Sequence, residues 1–236
     1  MKRIAAMELK EIIVVTDGRS NIGGDPEEAA RIAHREGIIV NSIGIVENGG
    51  EEDPFIELEG IAKAGGGLCD IIPMTRLDYS MQMITRHSVQ MTLERAVSFQ
   101  LKKITGYRLD EMDPESRGRI IEYIKRVSDE ISIKCVVLLD CSGSMANKMD
   151  TALSSIEELL ISLNARKGIS QLGVVIFPGK TGREYQIVSG FTSDFSVLSK
   201  NLKGITTGGG TPTYGGIMGA VELFAEEGLQ IADHVY

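Results

Sequence analysis

The sequence contains no tryptophan and only three cysteines among its 236 residues, Cys69, Cys135 and Cys141. The cysteines form no CxxC pair and no even framework, which argues against a disulfide scaffold and favours a reducing compartment. Cys69 and Cys135 lie in strand-like runs, and we interpret both as small buried hydrophobic side chains rather than a redox pair. The fold is therefore expected to form without a disulfide.

Long hydrophobic runs are also absent. No stretch approaches the roughly 18 consecutive apolar residues of a membrane-spanning helix, and residues Met1 to Lys10 lack the apolar stretch of a signal peptide. We expect a cytoplasmic protein.

Positive charge is in the minority. The sequence has 25 lysine and arginine residues against 33 aspartate and glutamate residues, which gives a net charge of −8 at pH 7. This charge repels phosphate backbones and anionic lipid, so we expect no nucleic acid and no membrane as partners. With 42% hydrophobic and 25% charged residues, the composition is that of a globular protein, and the length fits one α/β domain.

Strands and helices alternate in the first part of the sequence. Strands are predicted at Glu11–Val15, Ile38–Val46 and Leu68–Ile72, and helices over 26–36 and from Asp53 to Ile61. Asp25 is a good N-cap for the first helix, Pro26 suits its first position and Glu28 completes a capping arrangement. This alternation is typical of a parallel sheet, at whose carboxyl edge Asp17 follows the first strand.

A long amphipathic helix is predicted over 77–104, and we interpret its methionines as core residues. The segment 105–132, with a helix that begins at Asp113-Pro114, is similar to neither neighbouring half and is interpreted as a connector. Three strands and two helices are predicted beyond it. They are the strands Cys135–Leu139, Leu172–Phe177 and Tyr185–Phe191, and helices over 149–163 and 215–225.

Oxygen-bearing side chains follow several of these strands. Asp140, Ser142 and Ser144 stand at alternate positions on a turn directly after a buried strand. The loop Gly210-Thr211-Pro212-Thr213 can bring a further hydroxyl to the same edge of the sheet, and Asp17 supplies a carboxylate from a third strand end. Oxygen ligands of this kind suit a hard cation such as Mg²⁺.

This pattern resembles the von Willebrand factor A domain family, whose metal-ion-dependent adhesion site combines D-x-S-x-S, a threonine after a glycine-rich turn and an aspartate in T-D-G. The resemblance implies a Rossmann-like, doubly wound α/β fold with a mainly parallel sheet, one antiparallel edge strand and helices on both faces. It also implies that Mg²⁺ or Mn²⁺ is bound by hydroxyls and by acids that coordinate directly or hold water. The hydroxyl ligands would be Ser142, Ser144 and Thr211 rather than Thr213, and the acids Asp140 and Asp17.

The order of these motifs is reversed relative to the family, because the T-D-G aspartate, Asp17, precedes Asp140 here. Circular permutation explains this order. Residues 1–236 would then form a single permuted domain, in which 1–104 is the C-terminal half of the fold, 105–132 the helical connector and 133–236 the N-terminal half. The alternative is a swapped dimer, and the sequence leaves the oligomeric state open. In this order the chain resembles the uncharacterised cytoplasmic A-domain proteins of spore-forming bacteria.

The resemblance implies a divalent-cation-dependent module that docks on an exposed Asp or Glu of a protein partner. One alternative is an accessory subunit of an AAA or chelatase-type ATPase assembly, and a less favoured one is a metal-dependent phosphatase. We do not expect an enzyme, because no histidine is placed to activate Cys141 and Ser142 stands where a phosphatase would carry a second aspartate. Gly208 to Gly210 lack the lysine of a phosphate-binding loop, and the acidic stretch Glu47 to Asp53 is interpreted as a solvated loop.

Overall fold

The computed structural model describes residues 8–46 and 53–232, with the side chains of 8–46 and 55–226. Six strands and seven α-helices lie in this part of the chain. The strands are β1 (Glu8–Thr16), β2 (Ile38–Val46), β3 (Gly66–Pro73), β4 (Ser132–Asp140), β5 (Ser170–Phe177) and β6 (Gln186–Thr192). The helices are α1 (Pro26–Arg35), α2 (Asp53–Ala64), α3 (Leu77–Thr105), α4 (Pro114–Ser128), α5 (Met149–Asn164), α6 (Phe195–Leu202) and α7 (Thr213–Ala232).

The strands form one sheet in the order β3-β2-β1-β4-β5-β6. All neighbouring strands are parallel except β5 and β6, which are antiparallel at one edge. The predicted fold class, a mainly parallel sheet with one antiparallel edge strand, is confirmed. Each of the two central strands contains a buried apolar run, IIVV in β1 and CVVLL in β4, because helices cover both faces of the sheet.

Each face of the sheet packs on its own set of helices. Ile13 and Val15 point into a core layer shared with α3, α4, α5 and α6. Their neighbours Ile12 and Val14 point the other way, into a layer shared with α1, α2 and α7. This alternation is the period of two expected of a strand buried on both faces.

The register of the central pair positions the candidate site. Strand β1 pairs with β4 from Glu8↔Ser132 to Val15↔Leu139, so the two strands end side by side. The residues that follow them, Asp17 and Asp140 among them, therefore meet at one edge although they are far apart in the sequence.

Several sequence predictions are confirmed and several are corrected. The long helix is α3, and of its three methionines Met81 is fully buried in the core, whereas Met83 and Met91 are only half-buried. Cys135 is buried as expected, whereas Cys69 is only half-buried, because it lies on β3 at the edge of the sheet.

The helix α6 was not predicted from the sequence, although its N-cap, Asp194, accepts hydrogen bonds from two backbone N–H groups of its first turn.

Details of the first helix also differ from the prediction. Asp25 caps it and Pro26 begins it, as expected. The carboxylate of Glu28 does not complete a capping box, because it pairs with Arg31 and Arg35 along the helix. Of the acidic stretch from Glu47, residues 47–52 lie outside the described residues.

None of the helices in the described part of the chain is both long and apolar enough to cross a membrane.

Candidate metal centre

Asp140 is the last residue of β4, and its side chain is fully buried. Both of its carboxylate oxygens are engaged. The hydroxyl of Thr16, at the end of β1, donates to Oδ2 at 2.5 Å, and the backbone N–H of Ser142 donates to Oδ1 at 2.7 Å. Burial raises the pKa of Asp140 above its usual range, while these two hydrogen bonds act to lower it. The carboxylate is thus held in one orientation.

The two serines of the D-x-S-x-S turn lie next to each other and to Asp17. The Oγ atoms of Ser142 and Ser144 are 3.1 Å apart, and the Ser144 hydroxyl donates to Asp17 Oδ1 at 2.7 Å. Met145, fully buried, anchors the short 3₁₀ turn that carries Ser144. With the bond from the Ser142 N–H to Asp140, four of the five candidate residues are therefore linked by hydrogen bonds.

Thr211 lies in a glycine-rich loop that is tied to both other loops of the site. Its backbone N–H donates to the side-chain oxygen of Asn21 at 2.8 Å, and its carbonyl accepts from the Asn21 N–H and from the Ser20 hydroxyl. The N–H of Gly208 donates to the carbonyl of Cys141 at 2.8 Å. These bonds bring the three loops together.

Two observations bear on whether Thr211 or Thr213 supplies the threonine hydroxyl of the site. Among the described residues, no hydrogen bond joins the hydroxyl of Thr211 to the other four candidate side chains. Thr213, which the sequence analysis placed second, is fully buried, and its hydroxyl has no hydrogen-bond partner in the described part of the chain. The structure thus places Thr211 at the site through its backbone.

The structure adds two residues that the sequence analysis missed. One is Thr16, described above. The other is Lys148, whose Nζ lies 2.7 Å from Asp17 Oδ2 and 3.3 Å from the Ser144 carbonyl oxygen. The side chains of Lys148 and Asp17 are only 10% and 3% exposed. Lys148 stands four residues after Ser144, and this one-turn spacing was the sequence signal that could have identified it.

Cys141 lies inside the turn but faces the core. Its side chain is 1% exposed, and burial, with a smaller contribution from the charge of Asp140, raises the pKa of its thiol to about 12. A neutral, buried thiol is a poor nucleophile, so the chemistry of the site belongs to its oxygens.

The donor set fits a hard divalent cation. Serine and threonine hydroxyls and two carboxylates are oxygen donors, which Mg²⁺ and Mn²⁺ prefer. The described residues contain no group of three or more histidine, cysteine, aspartate or glutamate side chains that could hold a metal ion by themselves. Any cation here would depend on the hydroxyls.

Comparison with known proteins agrees with this architecture. Residues 135–232 match the family model of the von Willebrand factor type A domain. The uncharacterized protein YabS of Bacillus subtilis (strain 168) is 38% identical over 208 residues, which are 87% of this chain and 84% of that protein. The chain therefore belongs to the von Willebrand factor type A domain family. Domains of this family typically mediate metal-dependent protein interactions.

Two solved structures are also similar. The crystal structure of an uncharacterized protein from Alicyclobacillus acidocaldarius subsp. acidocaldarius DSM 446 is 36% identical, with a TM-score of 0.85, and the match covers 95% of this chain and 97% of that one. Proximal thread matrix protein 1 from the mussel byssus, with a zinc-occupied MIDAS motif, is 16% identical with a TM-score of 0.29, over 86% of this chain and 43% of that one. The first likeness supports the whole fold, and the second is too weak to bear on the site.

Proposed function

We propose that this protein is a divalent-cation-dependent protein-binding module, which binds Mg²⁺ or Mn²⁺ and docks through it on an exposed Asp or Glu of a partner. The observation that carries the proposal is the pair of side-chain hydrogen bonds that link Ser142 to Ser144 and Ser144 to Asp17. These residues come from two strand ends, and Ser144 and Asp17 are 127 residues apart in the sequence. A cation site needs several oxygens at one point, and the sheet by itself does not need these side chains to meet.

Each candidate residue has a distinct role in the proposal. Ser142, Ser144 and Thr211 would supply hydroxyl oxygens to the cation. Asp140 and Asp17 would supply negative charge close to it, and the bonds from Thr16 and Ser142 keep the Asp140 carboxylate in place. When bound, the cation supplies a Lewis-acidic position that a carboxylate from outside can fill.

The charges of the site favour an anionic partner group. The carboxylates of Asp140 and Asp17 are offset in part by the ammonium of Lys148. With a divalent cation added, these groups carry one net positive charge, which a single carboxylate neutralises. Neutralising a partly buried charge is favourable, so a partner's Asp or Glu is the expected ligand.

Binding fits the site better than catalysis. A phosphoryl-accepting aspartate must present an oxygen to its substrate, whereas Asp140 is fully buried and both of its oxygens are held by hydrogen bonds. Cys141 is buried with its pKa raised to about 12, which opposes a thiolate nucleophile. We therefore propose no enzymatic activity.

We also propose that the chain is a circularly permuted domain that forms its sheet alone. In support, the family model matches only the segment 135–232, and β1 lies beside β4 of the same chain along its whole length. The residues before the connector thus complete the sheet that the matched segment begins.

Partner capture tests the function. Immobilised wild-type protein should retain a partner from native lysate in Mg²⁺ and release it in EDTA, and Asp140→Ala should retain none. Glu158→Ala is the matched control, because Glu158 is an exposed acid on α5. Retention in EDTA and by a folded Asp140→Ala variant would rule the proposal out. Metal-dependent capture of an ATPase would favour the accessory-subunit alternative.

A further inference from the structure

Lys148 and Asp17 form a buried ion pair inside the candidate site. Their side chains are 10% and 3% exposed, whereas the ion pairs along α1 join side chains that are 43% exposed or more. Taking two charges out of water is costly and is offset only by close pairing. At 2.7 Å from Asp17 Oδ2, the ammonium is close enough to do this.

The position of Lys148 is unfavourable for its own helix. Lys148 is the N-cap residue of α5, and its side chain makes no capping hydrogen bond. A helix N-terminus carries partial positive charge, so an acidic or hydroxyl residue is favoured there and a lysine is not. The pairing with Asp17 supplies a reason for lysine at this position that helix formation does not.

We propose that Lys148 is a built-in counter-ion, which neutralises Asp17 when no divalent cation is bound and competes with that cation for Asp17. This inference rests on the proposed function. Asp17 Oδ1 accepts from Ser144, one of the expected ligands, and Asp17 Oδ2 pairs with the ammonium. A cation that approaches Ser144 and Asp17 therefore meets a like charge next to its ligands.

Two consequences follow from this competition. The empty site is stable, because Asp17 is not left as an unpaired buried charge. The cation is held less tightly than the oxygens alone would allow, because the ammonium repels it. A partner carboxylate offsets that repulsion, so cation and partner strengthen each other's binding.

The test is titration calorimetry with Mg²⁺ or Mn²⁺ alone as the probe, together with thermal unfolding in EDTA. Lys148→Met removes the charge and keeps most of the length of the side chain. We expect it to lower the metal Kd about tenfold, because a like charge beside the cation is removed. In EDTA it should lower the Tm, and the Asp17→Asn/Lys148→Met double variant should recover most of that loss. Lys200→Met, an exposed lysine on α6, is the matched control and should change neither quantity.

The possible failures can be told apart. If the wild type binds metal and Lys148→Met binds it equally or more weakly, the counter-ion inference is wrong and the proposed function stands. If neither binds metal, the proposed function fails and this inference with it. Lys148→Gln is the second variant should Lys148→Met not fold, and it is expected to shift the Kd in the same direction.

Discussion

Glu11 is a fully buried acid in β1, away from the candidate metal centre. The side-chain amide of Asn41 donates to its Oε2 at 3.1 Å, and its Oε1 has no hydrogen-bond partner among the described residues. Burial is the main reason why the pKa of Glu11 is raised to about 7. The native protein therefore keeps the Glu11 proton at pH values where the unfolded chain has lost it.

This difference predicts a pH-dependent stability. Between the ordinary pKa of about 4.5 and the raised pKa of about 7, the native state holds one proton more than the unfolded state. The free energy of unfolding should then fall as pH rises through this range, by about 3 kcal/mol at most. Urea unfolding at pH 5 and pH 8 measures it, with Glu11→Gln as the comparison. The Glu11 contribution is absent if wild type and variant lose the same stability over this range.

Thr16 provides a second prediction for a single residue. Thr16→Val removes the hydroxyl that donates to Asp140 Oδ2 and leaves a buried carboxylate oxygen without that bond. We expect a loss of about 1–3 kcal/mol in the free energy of unfolding, measured by urea denaturation without metal. Thr206→Val, an exposed position, should cost little. Equal losses in the two variants would count against this role for Thr16.

Single residues also show what the sequence could not reveal. Five candidate residues were predicted from short motifs at strand ends, and four of them lie together in the structure. Thr16 and Lys148 were missed, because their contacts cross 124 and 131 residues of sequence. Only the register of β1 against β4 brings these residues together.

The loop that carries Thr211 depends on Gly210 for its close approach to the loop after β1. A Cβ at Gly210 would lie 2.6 Å from Ile22 Cδ1 and 2.7 Å from Asn21 Oδ1. Asn21 Oδ1 is the atom that accepts from the Thr211 N–H, so the added methyl group would push the two loops apart.

Gly210→Ala is therefore expected to weaken metal binding about tenfold and to destabilise the fold by about 1–3 kcal/mol. Calorimetry with Mn²⁺ and urea unfolding measure the two effects. Gly190→Ala is the control, because a Cβ there would meet no atom within 4 Å. A Gly210→Ala variant with wild-type affinity would show that this loop is not part of the metal centre.

Elements with strong local signals were predicted well. Strand β2 has the predicted bounds, and α1 begins at the predicted Asp25-Pro26 boundary. Helix α6 was missed because it has only eight residues, too few to establish a helical period of apolar residues. Its capping residue, Asp194, is the local sequence signal that marks its start.

In the molecule as a whole, one chain completes its own six-stranded sheet. Strand β1 lies between β2 and β4, and β4 follows helix α4. The parallel alternation predicted the sheet, but the sequence alone could not decide between a permuted monomer and a swapped dimer. Because β1 pairs with β4 of the same chain, we expect the permuted single-chain sheet rather than a swapped dimer.

Light scattering coupled to size-exclusion chromatography measures the oligomeric state. A mass of one chain at micromolar concentration, with and without Mg²⁺, is the result expected if no strand is exchanged between copies. With cysteines placed at Glu8 and Ser132, a swapped dimer would give a cross-link between two chains, whereas the single-chain fold gives one within a chain. A stable dimer with the intermolecular cross-link would contradict the single-chain fold.

The central claim is that the two parts of the chain assemble one metal site. Titration calorimetry of Mg²⁺ and Mn²⁺ tests it most directly, with wild type and Asp140→Ala compared after circular dichroism shows that both are folded. We expect one cation bound per wild-type chain and no binding by Asp140→Ala. Equal binding by both proteins, or none by either, would contradict it.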